Sequence, residues 1–152
     1  MEINIRPATM ADRDLLFAWV NDPETRANSF NPSPVKYEQH CAWFSKKLQQ
    51  KEDFLLIAEN GENKPVGQMR LDKTKDGGTV SISVCPESRG KGVGLQMLTA
   101  LDASVQANRL PYRKILAEIK LENSRSLKMF ERAGYSLVET LSDRYRMEKI
   151  LI

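Results

Sequence analysis

The chain has 152 residues, of which 41% are hydrophobic and 28% charged, the balance of one globular domain large enough to bury a proper core. Its net charge of +3 comes from scattered basic residues, not a stripe, which argues against nucleic acid as a partner but suits an anionic ligand. No apolar run approaches the ~20 residues of a membrane helix, and Met1 to Arg6 lacks a signal-peptide pattern.

Cys41 and Cys85 lie far apart, and neither has a Cys or His partner at metal spacing. The expectation is a reduced, metal-free cytoplasmic protein. With no repeat, low-complexity stretch or linker, residues 1–152 read as a single domain.

Residues 2–7 read as a first strand. Thr9 is placed to cap a helix over about 11–21, with Leu15, Leu16, Trp19 and Val20 as its apolar side and Asn21-Asp22-Pro23 as its end. Residues 24–34, with Pro32 and Pro34, form a loop or a short distorted helix, and a second helix spans about 36–49. Strands follow at 54–58, 65–72 and 79–85, separated by a turn centred on Gly61 and by a hairpin at Asp76-Gly77-Gly78. Gly94, Met97, Leu98, Leu101 and Val105 recur at helical spacing, and Lys114 to Ile119 reads as a strand. Asn123, Ser126, Leu127 and Phe130 share one face of a helix that stops at Gly134, and short strands lie near 135–140 and 143–150.

The stretch Arg89-Gly90-Lys91-Gly92-Val93-Gly94 joins a strand to a helix. Glycine permits positive φ and close approach of a ligand, which leaves backbone N–H groups at a helix N-terminus beside two cations, an arrangement suited to a phosphate or pyrophosphate. It lacks the G-x-x-x-x-G-K-[ST] of a P-loop, and its third glycine falls one residue early for the dinucleotide fingerprint G-x-G-x-x-G. The coenzyme A loop [RQ]-x-x-G-x-[GA] fits Arg89, Gly92 and Gly94 without a gap. Taken alone, the loop could also be a basic, Gly-rich surface turn.

Two motifs in order, about thirty residues apart, give the chain its likeness to a family. One is the strand ending in Arg89–Gly94, and the other is the Asn-x-x-Ser/Ala helix from Asn123 to Tyr135. The chain resembles the GNAT superfamily of acyl-CoA N-acyltransferases over essentially its whole length. The resemblance implies an α/β (α+β) fold: a mixed, mostly antiparallel sheet of about seven strands with helices on both faces. It also implies an enzyme that takes acetyl-CoA as cosubstrate, needs no metal, and acetylates a primary amine of a small molecule, as a monomer or homodimer.

The same resemblance assigns roles. The cofactor would be held by Ser83, Val84, Arg89, Gly90, Lys91, Gly92, Val93, Gly94, Asn123, Ser126 and Phe130. The backbone N–H of Val84 would stabilise the oxyanion. Many members carry a Tyr seven residues after the motif Asn; here that position is Phe130, which cannot protonate a leaving thiolate. Ser81 and Ser83 could line the acceptor cleft or order a proton-accepting water, with Cys85 on the same strand face, or could be half-buried strand serines. Glu118 is a candidate base or the partner of a salt bridge.

The first half resembles the branch that acetylates nucleotide-linked amino sugars in pseudaminic and related nonulosonic acid synthesis. The matching residues are Trp19, Asn21, Pro23, Arg26, Glu38, His40, Trp43 and Phe44. This implies Arg26 on a diphosphate, His40 on a base or sugar and aromatics stacking on rings, against a plainer reading in which the aromatics are core. Acetylation of a polyamine or of a protein N-terminus is a second expectation, and a non-catalytic coenzyme A-binding module a third.

Overall fold

The computed structural model describes residues 2–75, 77–107 and 111–151. The expected turn residue Asp76 and the two chain ends, Met1 and Ile152, lie outside them. Seven strands form one sheet: β1 (Asn4–Pro7), β2 (Phe54–Glu59), β3 (Pro65–Thr74), β4 (Gly77–Val84), β5 (Lys114–Lys120), β6 (Ser136–Thr140) and β7 (Arg144–Ile150). Their spatial order is β1-β2-β3-β4-β5-β7-β6, and every neighbouring pair is antiparallel except β4 and β5. The helices are α1 (Arg13–Val20), α2 (Pro23–Ala27), α3 (Tyr37–Gln49), α4 (Val93–Gln106) and α5 (Ser124–Arg132). The expected mixed, mostly antiparallel sheet with helices on both faces is what forms.

Strand alternation divides the core in two. Leu55 and Ile57 of β2 pack with Leu16 of α1 and Phe44 of α3. Leu56, Met69, Leu71, Val80, Ile115, Ala117 and Met147 turn to the other face, under Met97, Leu98 and Leu101 of α4 and Phe130 of α5. Residues 24–34 resolve as the short helix α2 and a loop, because Asp22 caps α2 by accepting from Thr25 N at 3.2 Å and Pro23 fixes the first turn. β6 is the outer strand; all five of its residues are exposed, and its register slips between Leu137 and Glu139.

Three boundaries differ from expectation. β4 begins at Gly77, so the hairpin is tighter than a strand from 79 implies. It ends at Val84, and Cys85 enters a 3-10 turn over Pro86–Ser88. Cys85 is buried in the larger core cluster, whereas Ser81 and Ser83 are only half-buried. The first helix starts with a 3-10 turn at Met10–Asp12, with Thr9 at its N-cap as expected and Asp12 closing the capping box, its Oδ2 accepting from Thr9 N at 2.8 Å.

Asp12 is also the anchor of this corner. Arg6 donates to both of its oxygens, at 2.8 and 2.9 Å, and to Glu59 at 3.0 Å. The Arg6 hydrogen bonds hold the Asp12 carboxyl below its ordinary value, against an opposing push from burial. A folded-state pKa below the unfolded one gives stability that is complete above the usual carboxylate value near 4 and is lost as the pH falls through the native value. Asp12→Asn should cost about 2 kcal/mol at pH 7, and denaturant titrations should show that difference from the natural chain shrinking below about pH 4. An Asn variant equal in stability to the natural chain at pH 7 would refute the anchor.

Candidate functional site

Among the described residues, β4 and β5 are paired only at Gly78–Ile115 and Thr79–Leu116; beyond those residues the strands part. Cys85 N donates to Val66 O at 2.8 Å, so the peptide groups of Cys85, Ser83 and Ser81 face β3. Alternation then turns the N–H groups of Ile82 and Val84 toward the opening. Val84 O, in the next peptide, accepts from Arg89 Nε at 3.2 Å, which holds the carbonyl end of the same residue. A strand N–H directed into a split of the sheet is a preorganised donor for an oxygen that gains charge.

The loop after the 3-10 turn lies at the end of this opening. Gly90 and Gly92 have φ of 76° and 77°, in the left-handed region, and an added Cβ at either would meet open space. Backbone conformation, not crowding, selects glycine there. Gly94 differs: a Cβ would lie 2.6 Å from Met129 Sδ, so its glycine lets α4 pack on α5. Among the described residues, nothing accepts the backbone N–H groups of Gly90 through Leu95. They converge at the N-terminus of the 14-residue α4 beside the exposed Lys91, a cradle that fits a pyrophosphate.

Arg89 is oriented away from that cradle. Its Nη2 lies 2.6 Å from Asp22 Oδ2 and 3.2 Å from Thr25 Oγ1, and its Nη1 lies 2.8 Å from Glu24 Oε2. Its hydrogen bond to Asp22 keeps that carboxyl below its ordinary range. Of the two loop cations, Lys91 alone faces solvent fully.

On α5, Asn123 is the N-cap: its Oδ1 accepts from Ser126 N at 3.2 Å, and its Nδ2 donates to Ser126 Oγ at 3.0 Å. Phe130 is 3% exposed and meets Tyr135 edge-on at 4.9 Å. Tyr135 packs in the core, and burial pushes its hydroxyl pKa far up.

The other sheet face carries the remaining expected residues. Ser83 Oγ accepts from Gln68 Nε2 at 3.0 Å, and Ser81 Oγ from Arg70 Nη2 at 3.3 Å. Arg70 also lies over the Trp43 ring, 5.5 Å from its centre. Glu118 faces the same side, where its Oε2 lies 2.9 Å from Arg144 Nη1 and 3.5 Å from Arg146 Nε. The salt-bridge alternative for Glu118 is therefore the geometry seen. Arg144 stacks on Phe30 at 3.8 Å, and Lys120 Nζ donates to Ala27 O and Ser29 O at 3.0 and 3.3 Å. Segment 22–35 thus roofs the β5–β7 part of this face, next to the serine strip.

Arg26 and His40 are both engaged by protein partners. Arg26 donates to Val20 O at 2.7 Å, to Asn31 O and Ser33 O at 3.0 Å and to Ser29 Oγ at 3.1 Å, so every guanidinium nitrogen shapes the roof. Burial lowers its pKa. His40 is 3% exposed, 2.8 Å from Arg13 O through Nε2, and packed among Phe17, Trp43 and Phe44. Both bond backbone carbonyls around segment 13–35. Gln68, Arg70, Phe30 and Arg144 were not singled out from the sequence; the β3–β4 register, which places Gln68 opposite Ser83 and Arg70 opposite Ser81, is the signal that could have found the first two.

The chain matches the family model described as "Acetyltransferase (GNAT) domain" over residues 2–136. It is 29% identical over 144 residues to an L-methionine sulfoximine/L-methionine sulfone acetyltransferase of Pseudomonas aeruginosa, covering 90% of this chain and 82% of that one. It is 26% identical over 137 residues to an uncharacterized protein of Methanocaldococcus jannaschii, covering 88% of this chain but spanning only 28% of that protein's length. Among solved structures it superposes on a spermidine N-acetyltransferase of Vibrio cholerae, in complex with CoA and spermine, with a TM-score of 0.88 at 15% identity, covering 99% and 96% of the two chains.

Proposed function

This chain belongs to the acetyltransferase (GNAT) domain family and is an acetyl-CoA-dependent N-acetyltransferase, and we propose that its acceptor is the primary amine of a nucleotide-linked amino sugar. The observation that carries the reading is the juxtaposition of the unpartnered N–H cradle at Gly90–Leu95 with the parted strands β4 and β5. The first binds an anion, and the second presents a peptide N–H to a reacting carbonyl.

Acetyl-CoA supplies the activated acyl group and a thiolate able to leave. In our reading the loop N–H groups and Lys91 hold its pyrophosphate, with Val93 and Gly94 opening the helix behind them. Asn123 and Ser126 cap α5 and, with Phe130, wall the far side of the opening. The Val84 N–H meets the oxyanion. Ser83, whose oxygen accepts from Gln68, keeps its own hydrogen free for a water that carries away the amine proton. Glu118 is engaged by two arginines, a poor position for a base, and Phe130 leaves the thiolate to be protonated by water.

Two features favour a large anionic acceptor. Arg70 on Trp43 and Arg144 on Phe30 stand along the polar strip, planar cations suited to phosphate and to stacked rings. The first-half likeness to the amino-sugar branch points the same way. The methionine sulfoximine acetyltransferase likeness supports a second acceptor class, a small amino acid whose carboxylate would meet the same arginines. A thiol-release assay with acetyl-CoA tests both. Turnover with a UDP-linked 4-amino sugar should exceed that with methionine sulfoximine or spermidine at least tenfold in kcat/KM. Faster turnover of methionine sulfoximine or spermidine would overturn the sugar assignment.

A further inference from the structure

The guanidinium of Arg89 opens the coenzyme A loop yet lies on α2, between Asp22, Glu24 and Thr25. Two carboxylates hold this guanidinium on α2, so it is not turned toward a phosphate in the cradle. Their position makes sense if Arg89 serves the roof. α2 is the start of segment 22–35, whose other attachments are Lys120 to Ala27 O and Ser29 O, Arg144 on Phe30, and Asn21 to the Val35 backbone at 2.8 Å in both directions. A second cation, Arg125 of α5, reaches Glu24 at 3.4 Å. One residue thus joins the cofactor loop, through Val84 O, to the wall over the serine strip.

We propose that Arg89 is a positioning residue, not a phosphate ligand: it pins α2 to the cofactor loop, so that ordering of the loop by coenzyme A is transmitted to the acceptor-side segment 22–35. The inference rests on the acetyltransferase reading for its cofactor, but not on which amine is acetylated. The bond from Arg89 Nε to Val84 O also ties the same residue to the carbonyl end of Val84, whose N–H faces the opening. Loop, oxyanion donor and roof therefore share one guanidinium, and a ligand that stiffens the first stiffens the third.

Asp22→Asn with Glu24→Gln tests it. Asn keeps the cap on Thr25 N, so α2 can still form while the pin loses both charges. Coenzyme A affinity is measured by calorimetry, and backbone amide exchange over residues 24–33 by mass spectrometry with and without coenzyme A. In the natural chain coenzyme A should slow exchange over 24–33 about tenfold. In the double variant that slowing should vanish, exchange without ligand should rise, and Kd should stay equal or fall several-fold. Slowing retained in the variant would overturn the pin, as would a Kd weakened tenfold. A natural chain that fails to bind coenzyme A would strike the cofactor reading, whereas unchanged exchange over 24–33 in the ligand-free variant would strike the pin alone.

Discussion

Acetyl-CoA at a hundred times its Kd should raise the Tm of the natural chain by about 5–10 °C, and Gly92→Asp should abolish the rise. Binding at that excess stabilises by about 2.7 kcal/mol, and each kcal/mol moves a domain of this size by about 2–4 °C. Gly92 holds φ at 77° at the mouth of α4, with open space where a side chain would stand. A carboxylate there projects into the cradle and repels a pyrophosphate. The substitution also strains the backbone, because a non-glycine residue in the left-handed region costs about 1–2 kcal/mol. Gly92→Ala separates the two effects: it should lower the starting Tm as much as Asp does and keep the ligand-induced rise. A Gly92→Asp protein with the full rise would remove the loop from cofactor binding.

The second large effect is expected at Gly67. A Cβ on this β3 residue would lie 2.7 Å from the backbone oxygen of Ser83 and 2.8 Å from the Met97 side chain. The methionine can turn aside, but the strand cannot, so Gly67→Ala should push β4 outward at the peptide that leads into Val84. Stability should fall by about 1–3 kcal/mol, the usual cost of overpacking. Activity should fall further, about 100-fold in kcat/KM with the best amine of the acceptor panel, because shifts near 1 Å at a reacting centre carry that penalty. Gly61→Ala is the control; nothing lies within 4 Å of its Cβ, and both quantities should hold. A Gly67→Ala enzyme with unchanged kcat/KM would show that the β3–β4 spacing does not set the donor.

Much of the architecture was legible from periodicity alone. α4 declares itself through Met97, Leu98, Leu101 and Val105, and each of these is buried. The glycine loop was readable because φ near +77° has few other sequence solutions. The end of β4 was not: Cys85 continues an apolar run, and the 3-10 turn over Pro86–Ser88 ends the strand at Val84. The partners of Arg26 and His40 were not legible either. Both are polar residues in an aromatic-rich segment, which describes a ligand site and a satisfied scaffold equally well. Their partners, Asn31 O, Ser33 O and Arg13 O, are backbone carbonyls, and composition carries no trace of those. The Arg89–Asp22 contact spans 67 residues, beyond any local pattern.

The two-pair junction of β4 and β5 has a mechanical consequence. β1 to β4 form one leaf and β5 to β7 another, and among the described residues backbone rungs cross between them only at Gly78–Ile115 and Thr79–Leu116. The sheet is therefore stiff within each leaf and compliant across the seam, so thermal rocking of the leaves changes the width of the gap more than any motion inside them. The outer end of that gap is where Val84 stands, and its distance from the opposite leaf is the dimension such rocking modulates.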